Sequence, residues 1–200
     1  MVDAINTVGS LTLNRYNTNT KPKETEDIMG YQNMTEDYHP EDPVASTDML
    51  YQNAQRLAEV GREAEAISEL ESLIQRYPDH ALAHNDLGVL YYRDGAKEKS
   101  LRHYERAARL DPENATFQKN LADFYCVEMG ELEEGLKIYL RVLEANPSDV
   151  ELLIILGDIC AAIEKNEDAK VFYNRVLELE PWNLKAQEKL DALPGEGLVF

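Results

Sequence analysis

Four prolines set a period. Pro78, Pro112, Pro147 and Pro181 stand in "RYPDH", "LDPEN", "ANPSD" and "LEPWN", at spacings of 34, 35 and 34 residues. A fixed interval of this size constrains a chain more than any single motif. One such unit cannot cover its own apolar face and must stack on the next. Alignment on the prolines brings other positions into register. A small residue recurs at Ala54, Gly88, Ala122 and Gly157, and a second at Ala66, Ser100, Gly135 and Ala169. Large residues follow at Leu70, Tyr104, Tyr139 and Tyr173.

The spacing has a physical meaning. Leu87 and Tyr91 are four residues apart, so they share one face of a helix. The small residue beside them lets a second helix approach, and the large ring from that helix fills the space. "RDGAKE" and "EMGELEE" supply the turn, with Gly95 or Gly130 at the end of the first helix. Proline then follows the second helix, which it cannot continue. Each unit is therefore a helix hairpin. The extra residue in "CVEMGEL" predicts a longer inter-helix turn in the third unit.

At Leu87, Gly88, Tyr91, Gly95, Tyr104, Ala107 and Pro112, with Ser100 for the usual alanine, the chain resembles the tetratricopeptide repeat (TPR) family. The resemblance implies an all-α, right-handed superhelix of four hairpins over 46–182, at about 47–80, 81–114, 115–149 and 150–183. A capping helix is expected over 183–193, where Leu184, Leu190 and Leu193 can seal the last hairpin. Three departures stand out: Asn53 for leucine in the first unit, Cys160 for tyrosine and Glu164 for the turn glycine in the fourth. Residues 1–45, rich in Asn, Thr, Asp and Glu, lack helical periodicity and read as a flexible tail. Within it "SLTLNRY" alternates, placing Leu11 and Leu13 on one side of a strand as an expected docking arm. "PGEGLVF", 194–200, forms a short C-terminal tail.

The resemblance also implies a concave groove lined by the first helix of each unit. The residues it assigns there are Tyr51 and Gln55, then Leu82, Asn85, Val89 and Tyr92, then Lys119, Asp123 and Cys126, then Ile154 and Asp158. Asp123 and Asp158 hold matching positions in neighbouring helices. They are expected on a solvated acidic face, selecting basic side chains of a partner by charge complementarity.

Charge narrows the partners. Thirty-eight acidic residues against 20 basic ones give a formal charge of −18 and a pI near 4.5, which disfavours nucleic acid and anionic membrane surfaces. The N-terminus lacks the basic and apolar regions of a secretory signal, so the expected location is cytoplasmic. His80 and His84 have the spacing of two metal ligands, but no carboxylate lies between them and no third ligand is evident. Cys126 and Cys160 are too few for a disulfide framework and fall inside helices, as small hydrophobes do. No Gly-rich phosphate loop, Ser–His–Asp set or CxxC occurs, so neither cofactor nor catalysis is expected. The family's carboxylate clamp for chaperone tails is not matched by Tyr51 and Gln55 followed by Thr116 and Asn120. The expectation is a non-catalytic adaptor or assembly subunit holding an extended or helical, basic or amphipathic protein segment. A dedicated client chaperone and an accessory subunit of an enzyme complex are the other readings.

Overall fold

The period of the prolines is also the period of the helix starts. The computed structural model describes residues 43–194, and among these the chain is helical, without strands. In chain order the helices are α1 (Pro43–Glu59), α2 (Glu63–Arg76), α3 (Ala81–Arg93), α4 (Lys97–Leu110) and α5 (Ala115–Phe124). They continue as α6 (Leu132–Ala145), α7 (Val150–Ala162), α8 (Asn166–Leu179) and α9 (Leu184–Ala192). The array begins earlier than the sequence placed it, at Pro43, whose fixed φ suits the first helical turn. Leu11, Leu13 and the rest of the expected N-terminal tail lie outside the described residues, as do 195–200.

One side chain at the end of each repeat caps the helix that follows. His80 Nδ1 accepts from the Ala83 N–H at 3.1 Å, and Asn114 Oδ1 from Thr116 at 3.1 Å. Asp149 Oδ1 accepts from Leu152, and Asn183 Oδ1 from Ala186, both at 3.0 Å. Each satisfies a backbone donor that the helix itself leaves without a partner. Between the two helices of a hairpin the chain turns on a left-handed residue: Gly61, Gly95, Gly130 and Glu164, with φ of 78°, 79°, 66° and 62°. Glycine takes this conformation without penalty; glutamate does not.

The third unit corrects a sequence expectation. Its additional residue does not lengthen the turn. Instead α5 runs on as a five-residue π-turn, Tyr125–Met129, before Gly130. The closing bond records the insertion. Arg62, Ala96 and Lys165 donate to the carbonyls of Leu57, Tyr91 and Cys160, five residues back, whereas Glu131 donates to Tyr125, six back. A π-turn absorbs one residue inside a helix while keeping its backbone bonds. The turn and the second helix thus keep their geometry.

The described residues form two compact units, one through Phe117 and one from Gln118. In the first, α1 packs on α2, α2 on α3 and α3 on α4 around Ala54, Ala66, Leu70, Leu73, Leu87 and Tyr91. In the second, α6 packs on the π-turn and on α7, α7 on α8 and α8 on α9. The small-and-large register is observed. A Cβ added at Gly88 would lie 2.6 Å from the Tyr104 ring, and one at Gly157 would lie 2.4 Å from Tyr173. The third hairpin swaps the partners, with alanine at Ala122 and the glycine at Gly135. There an added Cβ would meet Cys126 Sγ at 2.2 Å and the Ala122 carbonyl oxygen at 2.9 Å.

Helix α9 stands in register with a further first helix. Ala186 is buried, and Leu190 and Leu193 pack on the Cys160–Ala169–Tyr173 cluster. Leu184, expected to help seal the end, is instead 75% exposed, because it occupies the first position of the helix, outside the packed face. Gln187 and Asp191 hold the places where α7 buries Leu153 and Gly157, and they bond to each other at 2.8 Å. This polar outer face lets the stack end in water.

Candidate functional site

In the first unit, α1 and α3 place side chains on a shared face. Tyr51 and Gln55 are one turn apart on α1, and Gln55 Nε2 donates to the Tyr51 hydroxyl at 3.0 Å. Leu82, Asp86 and Val89 follow one another along a stripe of α3. The two stripes are joined where the Tyr51 hydroxyl donates to Asp86 Oδ2 at 2.7 Å. Asn85 Nδ2 donates to the other carboxylate oxygen at 3.2 Å, and the His80 ring lies 5.1 Å from that of Tyr51. Burial and the neighbouring carboxylate push the Tyr51 phenol up. Burial also raises the Asp86 carboxyl, against the bonds from Tyr51 and Asn85. Leu82 is 47% exposed, Gln55 is exposed, and Tyr51, Val89 and Tyr92 are half-buried. Asn85 is buried. Asp86 is a residue the sequence reading missed; the available signal was its place one turn after Leu82.

In the second unit the corresponding residues turn inward, and the solvated acidic face is not found. Asp123 is only 3% exposed and accepts a hydrogen bond from the Tyr139 hydroxyl. Asp158 accepts from Tyr173 at 2.7 Å and pairs with Lys189 at 2.7 Å. The cause is geometric. The ring that fills the hairpin carries a hydroxyl, and the carboxylate one helix away is its acceptor. Lys119 is held by Asp149 at 2.9 Å and Glu151 at 3.4 Å. Ile154 is buried in the cluster that includes Ala186 of α9. Cys126 is buried, which pushes its thiol up to about 12 and away from the reactive thiolate.

His80, His84 and His103 make structural contacts. His80 caps α3. His84 faces the Pro78 carbonyl through Nε2 at 3.0 Å and His103 through Nδ1 at 3.0 Å. His103 also stacks on Tyr91, whose hydroxyl donates to Glu71 and whose ring lies 4.6 Å from Lys99 Nζ. Burial, with His84 close by, pushes the His103 imidazole down to about 4, and burial lowers His84 as well.

Two family models described as tetratricopeptide repeat match the chain, one over residues 51–115 and one over 150–181. The chain is a TPR protein. Among solved structures it is similar to a tetratricopeptide repeat protein from Parabacteroides merdae, with TM-score 0.66 and 23% identity, covering 72% of this chain and 57% of that one. MamA from Desulfovibrio magneticus RS-1 aligns with TM-score 0.62 and 18% identity, over 72% of this TPR chain and 81% of MamA. YrrB, described as a TPR protein with an unusual peptide-binding site, aligns with TM-score 0.60 and 20% identity over 70% of this chain and 72% of YrrB. The human protein O-mannosyl-transferase TMTC1 is 29% identical over 112 residues. That match takes in 56% of this chain, which spans only 13% of the transferase. Among the described residues no helix of this TPR chain is long and apolar enough to cross a membrane.

Proposed function

We propose that this TPR protein is a non-catalytic protein-interaction module whose first unit holds an extended or helical segment of a partner on the α1–α3 face. The observation that carries the reading is the stripe of exposed Leu82 and half-buried Val89 beside half-buried Tyr51 and exposed Gln55, whereas Lys119, Asp123, Ile154 and Asp158 of the second unit are engaged internally. An exposed leucine between ordered polar groups offers apolar contact with fixed orientation, which is how helix and strand segments are held in grooves. The description of YrrB as peptide-binding is in keeping with it. Native purification of the tagged full chain, with mass spectrometry of co-eluting proteins, identifies the partner. Leu82→Glu is then expected to lose that partner with unchanged helix content. Retention of the partner at the same yield overturns the assignment of the face.

A further inference from the structure

Asp86 is a half-buried carboxylate on the α1–α3 face. In the second unit Lys119 is shared by Asp149 and Glu151, and Lys189 pairs with Asp158. Among the described residues no lysine or arginine pairs with Asp86; its bonds come from the neutral donors Tyr51, Asn85 and Gln55, with the His80 ring close by. A carboxylate has about four lone-pair sites, so these three bonds still leave acceptor capacity for a further donor. Burial without a cation is costly, and the carboxyl sits above its usual range for that reason. Leu82 lies one turn before it and is exposed, so an apolar and a charged contact are set side by side on one face.

We infer that Asp86, oriented by Tyr51, reads a basic side chain, so that the partner segment carries an arginine or lysine next to a large apolar residue. This rests on the reading that the α1–α3 face is the binding face. A guanidinium suits the site best, because its planar fork can take both carboxylate oxygens while lying near an aromatic ring. The net charge of −18 adds long-range attraction for such a segment. Tyr51 thus acts as a positioning residue and Asp86 as the contact.

The test is a selection of short random peptides displayed on phage, run on the full chain, on Asp86→Asn and on Glu98→Gln. Glu98 is an exposed acid on α4 of the same unit, so its loss removes the same charge away from the face. Asparagine keeps an acceptor for Tyr51, and thermal melting confirms that the variant is folded. The parent and Glu98→Gln are expected to enrich peptides with arginine or lysine beside a large apolar residue. The strongest of these, made with a fluorescent label, should bind Asp86→Asn about tenfold more weakly, and Glu98→Gln within about twofold. Replacing its basic residue by citrulline should cost the same, and Tyr51→Phe somewhat less. Backbone amide shifts should fall on α1 and α3. If the selected peptides lack a basic residue, or bind Asp86→Asn as tightly, the cation inference is wrong while shifts on α1 and α3 keep the face. Shifts elsewhere, or a selection that yields no binder, remove the face and the inference together.

Discussion

Gly135→Ala sets two effects of known size against each other. Within a helix, glycine to alanine gains about 1 kcal/mol of propensity. At this site the added Cβ would meet Cys126 Sγ at 2.2 Å and the Ala122 carbonyl oxygen at 2.9 Å. The sulfur belongs to a buried side chain; the carbonyl is part of α5 and cannot yield without moving the helix. Overpacking of this kind costs about 1–3 kcal/mol, toward the upper end where backbone must shift. The net expectation is a loss of about 1–2 kcal/mol, or roughly 3–6 °C in Tm for a chain of this size. Urea denaturation followed by circular dichroism measures it. Adding Cys126→Ala removes the sulfur but not the carbonyl, so only part of the loss should return. If Gly135→Ala is more stable than the parent by about 1 kcal/mol, propensity alone governs the site, and the close approach of α5 and α6 is refuted.

Three other outcomes follow from the same geometry. Native His103 titrates near 4 and an unfolded histidine near 6.5, so the unfolded chain takes up a proton that the folded one refuses. Stability should be unaffected by this group above pH 6.5 and fall between 6.5 and 4, by about 1–2 kcal/mol after allowing for its partial exposure. A His103→Gln difference curve from denaturation across pH isolates it, and a curve parallel to the parent's would contradict the assignment. Tyr139→Phe withdraws the hydroxyl that serves buried Asp123 and should cost about 1–3 kcal/mol; an unchanged urea midpoint would sink that contact. Glu164→Gly relieves a left-handed glutamate at φ 62° and should add about 1 kcal/mol in the same assay, the opposite sign to any loss from helix propensity.

Much of the fold was legible in the sequence because the repeat states it several times over. The prolines gave the register, the small residues gave the helix contacts, and Tyr104, Tyr139 and Tyr173 are buried where their recurrence placed them. Local chemistry also decided the turns at Gly95 and Gly130, since a left-handed residue is a property of one position and its immediate neighbours. The extra residue of the third unit was visible as a count but not as a place. A longer loop and a π-turn are both consistent with one more residue in the chain. The choice depends on whether the second helix can keep its contacts, which is a tertiary matter.

The candidate site was legible only in outline. Repeat position says which residues lie on the first helices, Tyr51 and Gln55 on α1 and Leu82 and Val89 on α3. It could not say that Asp123 meets a Tyr139 hydroxyl, that Ile154 is covered beside Ala186, or that Asp158 is paired with Lys189 from the capping helix. Those facts depend on groups far apart in the chain, and a carboxylate looks the same in sequence whether a donor or water faces it. The sequence by itself determined a stack of helix hairpins, because a period of apolar and small residues is a local statement repeated. Only the tertiary structure decided which donors each carboxylate meets, Asp123 the Tyr139 hydroxyl, Asp158 Tyr173 and Lys189, Asp86 Tyr51 and Asn85, because those partners are neighbours in space and not in sequence.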